Sequence, residues 1–379
     1  MTMIESEKPV ANTRKQISLP PLRSQQLSDG TWRISAVVEG AELFFESLKP
    51  LSPRPEILAC AFLLPAMARG HDLHFGGHLS ASLLENLSFI QNRAIEWWPW
   101  LSRVDVHALP APDDGKAENS SVFYTGGVDS SYALQKLHSD IRYMIFVEGF
   151  DVPLADLPRI AGVREWLTAT AEACGVELIV VQTNLKTHPL FVSAPWEISH
   201  IAALSAVAHA LGDHAGTVYV AASDVPPPWG SAPDLDCRWS TGSVEIVNFS
   251  HEISRLARVE SIANWAPLRG RLRVCWENLE SSLNCGYCEK CVRTRAQLVA
   301  CGAAAELDSF PKGNLAWQIR RMPAPQHELH GQWREVASRI ADPTIRVEIE
   351  RMLNRSTSEP IVLLYRIVRK IRRMLRGKA

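Results

Sequence analysis

The chain has 379 residues, enough for two domains and a tail, and its 46% hydrophobic and 21% charged content suits an ordinary soluble globular protein. The net charge of −1 is unevenly spread: residues 361–379 carry seven Lys/Arg and no acid, which leaves 33 basic against 41 acidic residues in the body. An acidic body argues against a broad nucleic-acid-binding face.

Residues 1–28 are polar, lack periodicity and read as a mobile lead-in. They contain no apolar signal core, and the longest apolar stretch, 57–67, holds a proline and is too short to span a bilayer. The expected compartment is therefore the cytoplasm, where the eight cysteines read as thiols or metal ligands rather than disulfides. Residues 29–112 are expected to form a smaller α+β domain. In it, 32–38 and 41–45 are strands around Glu39-Gly40, 56–68 and 80–97 are helices, and 104–108 alternates like a strand. Trp97, Trp98 and Trp100 cluster, which reads as packing rather than base stacking. The stretch 110–119, with Asp113-Asp114-Gly115 and mixed charge, reads as a linker.

From Ser120 strand and helix signals alternate: strands at 121–124, 142–147, 176–181 and 217–221, helices at 159–173 and 199–211. This pattern predicts a doubly wound parallel α/β sheet over 119–305, with ligand at the C-terminal strand ends. The first strand runs into Tyr124-Thr125-Gly126-Gly127-Val128-Asp129-Ser130-Ser131, and a helical pattern of Tyr132, Leu134 and Leu137 follows. A strand, a glycine turn and a helix start form a cradle for phosphate oxygens, because backbone N–H groups and the helix dipole face the anion. Ser130 and Ser131 offer further donors, while Asp129 is a candidate helix cap or Mg²⁺ ligand. No Gly-Lys-Ser/Thr follows at Walker A spacing.

Cys285-Gly286-Tyr287-Cys288-Glu289-Lys290-Cys291, with Cys275 upstream, presents four thiols that can converge on one Zn²⁺ in a closed structural site; an iron–sulfur centre is the competing reading. Lys290 and Arg293 would favour the thiolate forms. Residues 306–379 are expected to be a helical extension stabilised by that metal. Its last part, with Ile361, Leu364, Val368, Ile371 and Leu375 at helical spacing among basic residues, is a basic amphipathic helix that packs on its own domain or a partner, or touches membrane or RNA.

The glycine run resembles the pyrophosphate loop of the N-type ATP pyrophosphatases, Ser-Gly-Gly-x-Asp-Ser, with Thr125 keeping the hydroxyl of the usual serine. Three more stretches are similar to the 7-cyano-7-deazaguanine synthases within that group. Pro233-Asp234-Leu235-Asp236-Cys237-Arg238 resembles their Pro-Asp-Cys-Arg segment. Val274-Cys275-Trp276 with Asn284 through Arg293 resembles their zinc signature, and Leu256-Ala257-Arg258-Val259-Glu260-Ser261-Ile262 a segment that usually carries lysine at the place of Arg258. The resemblance covers roughly 120–300 and is silent on the first domain.

It implies an adenine-nucleotide α-hydrolase-like fold and an ATP-dependent ligase. Such an enzyme adenylates a small-molecule carboxylate or an amide, releases pyrophosphate and lets ammonia displace AMP. ATP and Mg²⁺ would then be held by residues 124–131. The implied catalytic residues are Asp129, Ser130 and Arg258, the last of these stabilising the α-phosphate unless it is a surface helix arginine. Trp196, Glu197, Asp236 and Cys237 would border the substrate. Glu197 also reads as a helix-start carboxylate, and Cys237 as a nucleophile or a small buried residue. Thr2 stands where a fused glutaminase would need cysteine, so ammonia is expected from solution, from a partner, or not to be used at all. The first domain is expected to select substrate or to mediate homodimerisation. Other acceptors, a protein terminus or RNA receiving sulfur, and a non-enzymatic zinc module binding nucleic acid, are the alternatives.

Overall fold

The computed structural model of the chain describes residues 14–223, 225–278, 283–303, 309–355 and the single positions 360, 364 and 367. Four strands come first: β1 (Gln16–Leu19), β2 (Arg23–Gln26), β3 (Trp32–Val38) and β4 (Ala41–Ser47). They are followed by α1 (Glu56–Arg69), β5 (Asp72–Ser80), α2 (Ala81–Trp97) and β6 (Val106–Ala111). An alternating region then runs through β7 (Ser120–Phe123), α3 (Val128–Leu137), β8 (Tyr143–Glu148), α4 (Leu157–Cys174) and β9 (Glu177–Thr183). It continues with α5 (Trp196–Leu211), β10 (Thr217–Ala221), the short α6 (Pro233–Asp236) and β11 (Glu245–Phe249). Among the described residues the α-helices that follow are α7 (Arg255–Ile262), α8 (Glu289–Ala300), α9 (Leu315–Arg321), α10 (His330–Arg339) and α11 (Pro343–Leu353).

Local chemistry sets several boundaries. Helix α1 stops at Gly70, whose φ of +66° lets its N–H turn back to the Ala66 and Met67 carbonyls. Helix α2 starts at Ser80, whose hydroxyl accepts from the Leu83 N–H.

Eight strands form one sheet in the order β11-β10-β7-β8-β9-β4-β3-β2. The first five are mutually parallel, as between β8 and β9, where Ile145 faces Ile179. The β4, β3 and β2 strands run antiparallel, and β4 joins the sheet by pairing Phe45 with Thr183 and Glu46 with Gln182. A second sheet of β1, β5 and β6 is parallel and three-stranded.

Alternate residues of the central strands feed two separate cores. Phe123, Ile145 and Val147 pack on one face, with α1 and α5. Val122, Met144 and Phe146 pack on the other, with α3 and α4.

Two expectations need correction. The lead-in is not wholly mobile, since Ile17 and Leu19 of β1 are buried to within 1% and β2 pairs with β3. Nor are residues 29–112 a separate domain: β3 and β4 extend the main sheet, and one continuous core joins them to α1 and α5. The unpaired edge of β9 and the alternating apolar face of β4 explain the fusion, because an exposed sheet edge seeks a partner strand. Most of the expected tail helix, 361–379, lies outside the described residues. Among the described residues, no helix is long and apolar enough to cross a membrane.

Candidate functional site

The sheet order places β8 on one side of β7 and β10 on the other, so the direction of winding reverses at β7. Crevices beyond the C-terminal strand ends at such a reversal are the usual ligand sites of open α/β sheets. The glycine loop leaves β7 there. Gly126 has φ +78°, and Gly127 precedes α3 with no side chain capping the helix start, so the first-turn N–H groups are not capped from within. Ser130 braces the loop: its hydroxyl accepts from the Thr125 N–H at 3.3 Å and donates to the Gly127 carbonyl at 3.2 Å.

A cavity of about 260 Å³ opens over this loop. Thr125, Gly127, Asp129 and Ser130 line its polar end together with Asp151 and Lys290; Phe150, Trp196 and His200 line its aromatic end. The Lys290 side chain is half-buried, and its ammonium makes no hydrogen bond or ion pair among the described residues. Burial, then the nearby Arg255 charge, lowers its pKa from the ordinary lysine value.

Asp129 is the electrostatic centre of the loop. Arg255 Nη1 donates to one carboxylate oxygen at 2.5 Å and Arg258 Nη1 to the other at 2.7 Å. Burial works to raise the Asp129 pKa, but the two guanidinium groups outweigh it and bring it from 3.8 to about 2. A folded-state pKa below the unfolded one stabilises above about pH 4, and that stabilisation disappears as pH falls toward 2. The urea midpoint should therefore drop between pH 4 and 2, and the drop should be shallower in Asp129→Asn. Equal slopes in the two proteins would refute this assignment.

The structure redistributes several expected roles. Arg258 is neither a surface residue nor a cavity residue; at 1% exposure it also donates to the Ala222 and Ser250 carbonyls, tying α7 to the ends of β10 and β11. The Ser131 hydroxyl donates to the Tyr124 hydroxyl inside the fold, and Tyr124 stacks on Trp166. Val128 is fully buried, and the Gly126 carbonyl accepts from the Arg273 N–H at 2.9 Å. Of the four expected substrate residues only Trp196 lines the cavity. Glu197 is exposed in the first turn of α5. Asp236 is buried and accepts from Ser231 Oγ, the Ala232 N–H and Asn248 Nδ2, a network that pins α6 to β11. Burial raises its pKa to about 6. Cys237 is exposed and outside the cavity lining, so it is neither a buried residue nor a pocket residue.

The four expected metal ligands come together. Cys275, Cys285, Cys288 and Cys291 are buried, with their sulfur atoms all within 4.8 Å of one another. Cys285 and Cys291 Sγ are 4.0 Å apart, close to the ~3.8 Å edge of a tetrahedron with 2.3 Å Zn–S bonds. The N–H groups of Tyr287 and Cys288 point at Cys285 Sγ and that of Cys291 at Cys288 Sγ, as thiolate ligands require. Gly286 supplies the turn at φ +73°. Asn284 joins the two ligand segments: its carbonyl oxygen accepts from the Val274 and Cys275 N–H groups and its amide donates to Leu272 and Ser309. The donor set therefore fits a closed, structural Zn²⁺ site.

Sequence reasoning missed Phe150, Asp151 and Arg255, and the position of Lys290 in the cavity. Lys290 inside the cysteine motif was the available signal, but a lysine there reads first as a partner for thiolates. No protein-family model, curated protein or solved structure matches the chain.

Proposed function

We propose that the chain is an N-type ATP pyrophosphatase, with the doubly wound fold of that group, which adenylates a carboxylate for attack by ammonia in the manner of a 7-cyano-7-deazaguanine synthase. The observation that carries this reading is the glycine loop at the β7 winding reversal, opening onto a cavity with an uncommitted lysine. The first-turn N–H groups of α3, Gly127 and the Thr125 hydroxyl would hold the β- and γ-phosphates. The aromatic end, with Phe150, Trp196 and His200, offers ring faces to a flat group. A carboxylate oxygen attacks the α-phosphorus, the bond to the bridging oxygen breaks, and pyrophosphate leaves on the loop. Ammonia then attacks the acyl carbon and AMP departs. In-line placement and stabilisation of the leaving charge supply the rate.

Both Asp129 oxygens are engaged with arginines, which leaves Asp151 as the cavity carboxylate available to Mg²⁺. Mg²⁺ there would neutralise phosphate charge. The sulfur-inserting alternative requires a thiol in the cavity, and the lining contains none among the described residues. The nucleic-acid alternative rests on a tail outside the described residues.

The test is incubation of the metal-containing protein with Mg-ATP, ammonium and 7-carboxy-7-deazaguanine, followed by mass spectrometry. AMP with the amide or nitrile is the expected result. Nucleotide binding without product would point to a sibling with a different carboxylate, and no nucleotide binding would overturn the reading.

A further inference from the structure

We propose that Lys290 is the cation that binds the anionic ligand of this cavity, and that the four-cysteine centre is built to hold it there. The inference rests on the reading of the cavity as a polyphosphate site.

Three observations converge. The first concerns charge. Lys290 is the only Lys or Arg among the described cavity-lining residues, whereas Arg255 and Arg258 are committed to Asp129. Without Lys290 the lining itself would carry the two carboxylates Asp129 and Asp151 and no cation, since Arg255 and Arg258 lie outside it and point their charge at Asp129.

The second concerns helix electrostatics. Cys288 is the N-cap of α8, so Lys290 stands in the first turn, where a cation opposes the helix dipole. Glu289 beside it has the favourable sign and pairs with Arg293 at 2.8 Å. A residue of unfavourable sign, facing Asp129 and Asp151 but making no hydrogen bond or ion pair among the described residues, suits a ligand better than it suits the helix.

The third concerns placement. The flanking residues Cys288 and Cys291 each supply a sulfur to the cluster, so the metal would fix the backbone of residue 290 from both sides. The same module reaches the glycine loop twice more. Its Arg273 N–H holds the Gly126 carbonyl, and Val128 packs in one apolar cluster with all four cysteines. The loop donors and the lysine are thereby set against each other by one rigid piece, the arrangement that preorganised anion sites need.

The experiment is calorimetric titration of pyrophosphate and of ATP into metal-loaded wild type, Lys290→Met and Lys290→Arg, with metal content and thermal midpoint measured on each. The expected result is a Kd roughly 10- to 100-fold weaker in Lys290→Met, partly restored in Lys290→Arg, with metal content and midpoint unchanged. Wild-type affinity in Lys290→Met would overturn the inference and leave the nucleotide reading standing. Loss of metal from Lys290→Met would also overturn it, because the lysine would then serve the thiolates. Failure of the wild type to bind either anion would remove the reading and the inference together.

Discussion

Replacing Asp129 with alanine should lower the free energy of unfolding by about 3–5 kcal/mol, the range for removing one partner of a buried charge network. The carboxylate is the shared acceptor of Arg255 and Arg258, whose side chains are 4% and 1% exposed. With it gone, two guanidinium groups remain buried beside each other and repel. Arg258 keeps its bonds to the Ala222 and Ser250 carbonyls, so the damage falls chiefly on the junction between α3 and α7. Asp129→Asn retains one acceptor and the shape of the site, and should lose less. Urea denaturation of the three proteins measures the difference. A wild-type midpoint for the alanine variant would mean that the two arginines are compensated elsewhere.

The adjacent glycines should behave differently from each other. A Cβ on Gly126 would lie 2.1 Å from Cη2 of Trp166, and the φ of +78° is itself strained for an alanine. Trp166 is 8% exposed and stacked on Tyr124, so it has little room to withdraw. Overpacking and strain together should cost about 3–5 kcal/mol. At Gly127 the backbone is extended, and the nearest atom to an added Cβ, Thr125 Oγ1, is 3.5 Å away. Beyond its place as the N-cap of α3, the fold gives no steric reason for glycine at 127; a ligand pressed against the loop would. Gly127→Ala should keep its thermal midpoint to within ~2 °C, a change below about 0.5 kcal/mol, and bind pyrophosphate at least roughly tenfold more weakly. Undiminished binding by Gly127→Ala would leave that glycine without a function.

What the sequence disclosed follows from the range of the interactions involved. Strand β10 was expected over 217–221 and lies at Thr217–Ala221, because its apolar run is bounded by clear breaks. Helix α1, expected over 56–68, ends one residue later at its glycine cap. The cysteine centre was equally legible, since its ligand spacing is local. Strand β5 was missed: Gly76-Gly77 interrupts it, and its pairing with β6 shifts register between His74 and His78. The short polar β2 carries no alternation at all. The site's charge network was hidden for another reason. Asp129 meets Arg255 across 126 residues, and nothing at either position announces the other. Arg258 was singled out by a motif, but only the packing of α7 shows that its charge is directed at Asp129 rather than at a ligand.

The joining of β4 to β9 also bears on how the chain is made. The Phe44 N–H donates to Asn184 Oδ1 across a separation of 140 residues, and Thr183 Oγ1 returns a bond to the Phe44 carbonyl. On a ribosome adding about 5–20 residues each second, the β4 edge would wait roughly 7–28 s for its partner strand to be synthesised. Throughout that interval the nascent chain presents a hydrophobic ribbon with one unsatisfied border. Its yield in a cell should accordingly depend on holdase chaperones during translation, and severing the gene near codon 115 should produce two insoluble fragments rather than two working halves.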